Sequence, residues 1–251
     1  MLKDLTRNDW LSIMNIEDDK IPKVLILRGT RSLKTNYQKH RALFENVIDL
    51  CPPSVIFEDV FIGDYKGQPV GYASVYGDAM ASEVTHVFGV LGTSLVIQTG
   101  CCGALSYNIS SGDVILVTSA HCGEGASQYY IPEKKEIGAS IELFDLMADM
   151  NFDGIDLHKG AIWTTSALLA EGKDEIMDWH KKGYIAVDME TASTFAVAEY
   201  FGMKRLSILF AYDNPFQGQS IFFTDKEKQE QRSKGKRAML DMVFKILDAG
   251  C

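Results

Sequence analysis

The chain lacks any unbroken apolar run of about 18 residues, so no membrane-spanning helix is expected. It also lacks the basic start and apolar core of a secretory leader. Lys3, Asp4, Arg7, Asn8, Asp9 and Glu17 are scattered among the first apolar residues. These two absences predict a cytoplasmic protein with no membrane partner. Positive charge is scarce as well: 25 Lys and Arg face 34 Asp and Glu, a net charge of −9. Nucleic-acid binding draws its affinity from clustered cations that neutralise phosphates, so no nucleic-acid partner is expected. The one basic cluster, Lys226 to Arg237, is diluted by Asp225, Glu227 and Glu230 and reads as a solvated helix face. Five cysteines are an odd number without disulfide-scaffold spacing. Cys101 and Cys102 are adjacent, which suits neither a zinc site nor a CxxC redox pair. Cys122 beside His121 is weak support for a nucleophile. Buried structural thiols are the simpler reading, and no metal is expected.

What is present is an ordinary globular composition, 46% hydrophobic and 24% charged over 251 residues. That length fits one large α/β domain, taken as residues 1–251 with 1–21 as an N-terminal extension. No linker, repeat or low-complexity segment interrupts it. Val24 to Leu27, running to Gly29, reads as a buried strand, and Tyr37 to Leu50 as a helix stopped by Pro52-Pro53. Val55 to Ile62 and Val70 to Tyr76 read as a hairpin around Asp64 to Gln68. Further strands are expected at Ser94 to Gln98, Asp113 to Ser119, His158 to Thr164 and Arg205 to Phe210. Helices are expected at Met80 to Leu91, Ser140 to Met150, Lys173 to Lys182, Thr191 to Phe201 and Lys226 to Leu247. This mixture predicts a single-domain α/β fold, a central mixed β-sheet flanked by helices on both sides.

Three segments carry candidate chemistry. Gln98 to Leu105 follows an apolar strand, and its Gly100 and Gly103 would let backbone N–H groups approach a ligand closely. The spacing is not GxGxxG, so a dinucleotide site fits poorly, and a plain glycine turn is the alternative. Ile185 to Ser193 sets Asp188 and Glu190 around Met189, where an apolar run meets a helix of small residues. If the strand continues, alternation puts both carboxylates on one side; otherwise they are acids favoured at a helix N-terminus. Ser207 to Phe210 leads into Ala211-Tyr212-Asp213-Asn214-Pro215. There Asp213 is either turn chemistry or a carboxylic acid at the sheet edge.

Taken in this order, these segments resemble the nucleoside phosphorylase family, which spans purine nucleoside and uridine phosphorylases and the methylthioadenosine nucleosidases. The likeness covers roughly residues 22 to 248 and includes Ile162-Trp163-Thr164-Thr165, similar to the family's strand before the base pocket. The resemblance implies that Glu190 accepts hydrogen bonds from ribose hydroxyls while Met189 packs on the sugar and Asp188 stands beside them. It implies that Gly29, Gly100 and Cys101 line the pocket of the attacking group, that Thr165 and Leu168 lie at the base, and that Asp213 protonates a departing purine. Cleavage through an oxocarbenium-like sugar calls for negative charge near the ribose and a proton for the base. No cofactor is implied, only inorganic phosphate as co-substrate, with a nucleoside as the small-molecule partner and a homo-oligomer of two to six copies.

Several family positions differ. The arginines that would hold phosphate fall on Gln98, on Leu33 and near Ile56, and the base-stacking aromatic falls on Leu168. The N-terminal segment has no His to reach a neighbour's ribose. Arg28, Arg31 and Lys34 lie close to Gly29 and are the candidate replacements in a phosphate pocket. The expected function is therefore phosphorolysis of a purine-type nucleoside to free base and pentose 1-phosphate. Two alternatives stand beside it. A nucleoside hydrolase using water is favoured by an amide at position 98, although the nucleosidases' acidic residue falls near Lys34. The other is a non-catalytic ligand-binding or storage relative.

Overall fold

Val24–Gly29 forms strand β1, and all six of its residues are buried. A strand buried on both faces belongs inside a sheet covered on both sides. The computed structural model describes residues 1–50, 57–219, 221–222 and 225–250. Its strands are β1, β2 (Glu45–Asp49), β3 (Val60–Tyr65), β4 (Gln68–Val75), β5 (Leu95–Ala104), β6 (Val114–Gly123), β7 (Glu136–Gly138), β8 (Leu157–Thr165), β9 (Ala186–Asp188) and β10 (Lys204–Asp213). Its α-helices are α1 (Arg7–Met14), α2 (Leu33–Arg41), α3 (Gly77–Leu91), α4 (Ile141–Ala148), α5 (Lys173–Lys181), α6 (Thr191–Tyr200) and α7 (Lys226–Asp248). They form one mixed sheet in which β1 lies parallel to both β4 and β5. Beyond β5 the order is β9, β8, β6 and β10, and β10 pairs back onto β5. Half of the sheet thus closes into a ring.

Alternation along β1 splits the core. Val24 and Ile26 pack with Met239, Met242 and Val243 of α7 and Leu143 of α4. Leu25 and Leu27 pack with Trp10 and Met14 of α1 and Val84 and Phe88 of α3. The ring is filled by Cys102, Ala104, Ile115, Val117, Ile162 and Leu209 against Phe195 of α6. The first residues therefore do more than extend the chain: α1 is closed by a Thr6–Asp9 capping box, and Arg7 Nε donates to the Leu91 carbonyl at 3.0 Å.

The mixed sheet agrees with the sequence reading, and four local expectations are corrected. The helix expected over 37–50 ends at Arg41, and Glu45–Asp49 is an edge strand pairing Ile48 with Ile62. Phe44 and Val47 pack onto the hydrophobic core beside β3, burial that a continued helix would not give them. The hairpin turn is only Lys66-Gly67, with φ of 50° and 78°, the two-residue loop whose twist matches the strands. The strand before it begins at Val60; Pro52, Pro53, Val55 and Ile56 lie outside the described residues. Finally, Gly100 to Ala104 is neither a turn nor a loop. It continues β5, because β1, β10 and β9 between them supply partners along its length.

No α-helix among the described residues is long and apolar enough to cross a membrane.

Candidate active site

Strands β1, β5 and β10 run parallel and end on the same edge of the sheet, the position where open α/β sheets take ligands. Strand β9 joins them there by pairing Val187 with Gly103. Four of the singled-out segments therefore meet: Gly29, Gly100 to Gly103, Asp188 to Glu190, and Asp213.

Glu190 is the N-cap of α6 and is buried. Its Oε1 accepts from Gly77 N–H at 2.8 Å. A Cβ placed on Gly29 would stand 2.6 Å from Glu190 Oε2 and 3.1 Å from Gln98 Nε2, so only glycine leaves the carboxyl in place. Burial, reinforced by the charge of Asp188, pushes Glu190 up to about 8, against the pull of the Gly77 N–H and of Arg28.

Asp188 differs. The strand does not run on to Glu190, so the two carboxyls are not simple alternates. Asp188 Oδ1 accepts from Thr164 Oγ1 at 2.7 Å, and Oδ2 accepts from Thr191 N–H at 2.9 Å and from Thr191 Oγ1 at 2.5 Å. These bonds tie β8, β9 and α6 together. Burial raises its pKa and the bonds lower it. Both of its oxygens are thus engaged within the protein. Met189, between the two, is half-buried.

Asp213 closes β10 beside Gly103, where an added Cβ would meet its Oδ1 at 3.6 Å. Asn214 takes the turn chemistry instead of Asp213. Its Nδ2 donates to the Ser106 and Ile109 carbonyls at 2.8 and 2.7 Å, and its Oδ1 accepts from Phe216 N–H at 2.9 Å. Asp213 is left out of that turn, its carboxyl pushed up by burial to about 6 despite the opposing charge of Arg232.

Gln98 is fully buried, donating to the Thr99 carbonyl at 3.2 Å and accepting from Thr194 Oγ1 at 3.3 Å. Gly100 lets β5 approach β1, an added Cβ there lying 3.3 Å from the Gly29 carbonyl. Cys102 is buried, but Cys101 is exposed, which corrects the reading of these thiols as buried alike; Cys51 and Cys251 lie outside the described residues. Burial of the thiol group still pushes Cys101 up. Thr165 accepts from Ala167 N–H at 3.2 Å, and Leu168 is half-buried on the short 3-10 turn that follows.

The three candidate phosphate cations separate. Lys34 is exposed, and Arg31 is exposed with its guanidinium 4.9 Å from the centre of the Tyr76 ring. Arg28 is only 3% exposed and points to the α7 side of β1. The position near Ile56 lies outside the described residues.

Three residues here were not found from sequence. Arg232 Nε donates to the Tyr212 carbonyl at 2.6 Å and lies against the Tyr212 ring. Lys236, one turn further along α7, reaches Asn36 Oδ1 at 3.2 Å. The cluster from Lys226 to Arg237 is thus only partly a solvated face. Arg232 and Lys236 share a stripe with Met239, Val243 and Ile246, and that helical period was the available signal. Glu171 has a buried Oε1 with no partner, and burial with the charge of Asp213 pushes it up to about 7.

Residues 53–248 match the family model described as Phosphorylase superfamily. Relatives include a DeoD-type purine nucleoside phosphorylase of Clostridium novyi, 26% identical over 195 residues, covering 73% of this chain and 79% of that one. Another, from Bacillus cereus, is 26% identical over 186 residues, covering 67% and 73%. In fold the chain is similar to uridine phosphorylase of Vibrio fischeri, with TM-score 0.78, 21% identity and coverage of 94% and 95%. The chain belongs to the phosphorylase superfamily.

Proposed function

We propose that this protein cleaves the N-glycosidic bond of a purine-type nucleoside by phosphorolysis, giving free base and pentose 1-phosphate. The observation that carries this reading is the pair of carboxyls, Glu190 beside Gly29 and Asp213 beside Gly103, on the same edge of the sheet, both pushed up by burial. Glu190 Oε2, next to Gly29, accepts from ribose hydroxyls. Those donors favour its ionised form, which then stabilises the sugar as it becomes cationic. Asp213, raised to about 6, keeps its proton in about one molecule in ten at pH 7 and delivers it to a ring nitrogen of the leaving base. A purine offers the unprotonated imidazole nitrogen N7, which a pyrimidine lacks, and this favours a purine-type base, as in the relatives named DeoD-type purine nucleoside phosphorylase. Inorganic phosphate is the co-substrate and no cofactor is required. Met189 packs on the sugar, and Thr165 and Leu168 border the base.

The test is product analysis with and without inorganic phosphate. Pentose 1-phosphate that forms only when phosphate is supplied supports the reading. Free pentose formed at a rate independent of phosphate makes water the nucleophile and overturns phosphorolysis. No base release from any purine nucleoside overturns catalysis altogether and leaves a ligand-binding protein.

A further inference from the structure

Glu171 is an acid that the chemistry at Glu190 and Asp213 leaves unused. It ends the short 3-10 turn Leu168–Ala170, its N–H donating to the Leu168 carbonyl at 3.4 Å. The turn lies between β8, which stops at Thr165, and α5. The Glu171 side chain does not simply reach into solvent: its Oε1 is buried and has no hydrogen-bond partner among the described residues. An acceptor taken out of water and left unpaired is costly unless a ligand supplies the donor.

The charged groups around Glu171 do not compensate it. No ion pair includes it among the described residues. From β10 the charge of Asp213 acts on it, and that charge has the same sign. Arg232 of α7 acts on Asp213 instead. In α5, Lys173 is exposed, and Glu175 lays its carboxyl over Gly172. Burial and the charge of Asp213 together push Glu171 up to about 7.

Two carboxyls that feel each other at the end of β10 border one space, and in the cleavage reading that space receives the base. A purine carries two groups side by side on one edge. One is N7, which takes the proton from Asp213; the other is the substituent on C6. An acid beside Asp213 therefore meets that substituent. A 6-amino group donates and needs an acceptor, whereas a 6-oxo group accepts and needs a donor. A carboxylate only accepts, and a carboxylic acid carries one donor.

We propose that Glu171 is a specificity-determining residue that reads the C6 substituent of the base, as carboxylate for a 6-amino purine and as carboxylic acid for a 6-oxo purine. The inference rests on the cleavage reading for the place of the base at Asp213. Ionised Glu171 gains a charge-assisted bond from a 6-amino group and sets two acceptors against each other at a 6-oxo group.

Isothermal titration of the whole protein with adenine and with hypoxanthine, at pH 6 and pH 8, tests this without requiring turnover. Asp213 and Glu190 meet both bases alike, so their titration cancels in the ratio of the two affinities. The fraction of protonated Glu171 falls from about 0.9 to about 0.1 over that interval. The preference for adenine over hypoxanthine should therefore rise about tenfold. In Glu171→Gln the amide offers a donor and an acceptor at every pH, so both bases should bind and the ratio should move less than about twofold. Should that variant fail to fold, the wild-type ratio decides alone. The proposal is overturned if neither base binds, if the wild-type ratio stays flat, or if the variant keeps the shift. A ratio that falls also overturns it, because it puts the carboxylate at the N1–H of hypoxanthine. Base release from nucleosides with a flat ratio removes this role and leaves the cleavage reading standing. The expected shift without base release from any nucleoside does the reverse.

Discussion

Arg28 and Gly29 are neighbours in sequence but serve opposite sides of one sheet, and the two sides are furnished differently. On the Gly29 side, where α3 and α6 pack, stand the carboxyls Glu190 and Asp188, with Asp213 and Glu171 at the adjoining strand end. On the Arg28 side, where α2 and α7 pack, stand Arg28, Lys236 and His40. Within the acid side the hydrogen bonding separates architecture from chemistry. Asp188 is bonded by the side chains of Thr164 and Thr191 and fixes three elements, whereas Glu190 is held by backbone N–H groups, Gly77 among them. Buried polar groups are normally satisfied, so the incompletely satisfied ones mark where a ligand belongs.

The comparison breaks most visibly at Asp213. Replacement by Asn keeps the shape but removes the transferable proton, and should slow cleavage of purine nucleosides about 10²- to 10⁴-fold. A nitrophenyl riboside, whose leaving group needs no proton, should lose far less. Steady-state rates on the two substrates decide the matter; equal losses would make Asp213 a structural strand terminus. Next in size is Glu190→Gln. The charge matters most once the sugar is cationic, so kcat should fall about 10²- to 10³-fold while the nucleoside dissociation constant moves little. A variant with near-normal kcat would put Glu190 with Asp188, among the architectural carboxyls.

How much of this was legible in the sequence depended on how local the signal was. Long periodic runs such as Val24 to Gly29 and the helix from Lys226 gave their elements directly, because burial on one face or both writes itself into the residue pattern. The segments around Glu190 and Asp213 could be placed because each lies at the end of an apolar strand. The edge strand Glu45–Asp49 was not legible: its residues are mostly exposed, so no apolar period distinguished it from the helix before it. Asp188 and Glu190 looked equivalent, and only Thr164 and Thr191 separate them. Thr164 is 24 residues away and comes into contact only through the pairing of β8 with β9. The cation cluster joins residues 28, 40 and 236, a separation across which sequence spacing carries no information.

The smallest effect sharpens the cation side, and it is a matter of stability rather than rate. His40 Nδ1 lies 2.8 Å from the Asn36 carbonyl and 3.0 Å from Tyr72 Oη, with its ring stacked on Tyr72. Burial, with the charges of Arg28, Lys236 and Lys39, pulls its pKa from 6.5 down to about 4. The unfolded chain therefore binds a proton at a pH where the folded protein does not. That makes the His40 contribution fully present above about 6.5 and progressively lost as pH falls through the window down to about 4. Between pH 7 and pH 5 the loss is about 2 kcal/mol. The acid side works in the opposite sense. Glu190, Glu171 and Asp213, raised to about 8, 7 and 6, hold protons more tightly when folded, so acidification relieves their cost. Total stability mixes the two trends, and the difference between wild type and His40→Gln isolates one. Denaturant unfolding at pH 7 and pH 5 should show the wild type losing about 2 kcal/mol more than the variant over that interval. Equal losses would mean that His40 takes up its proton in the folded protein, and that the cation side already holds an anion of its own.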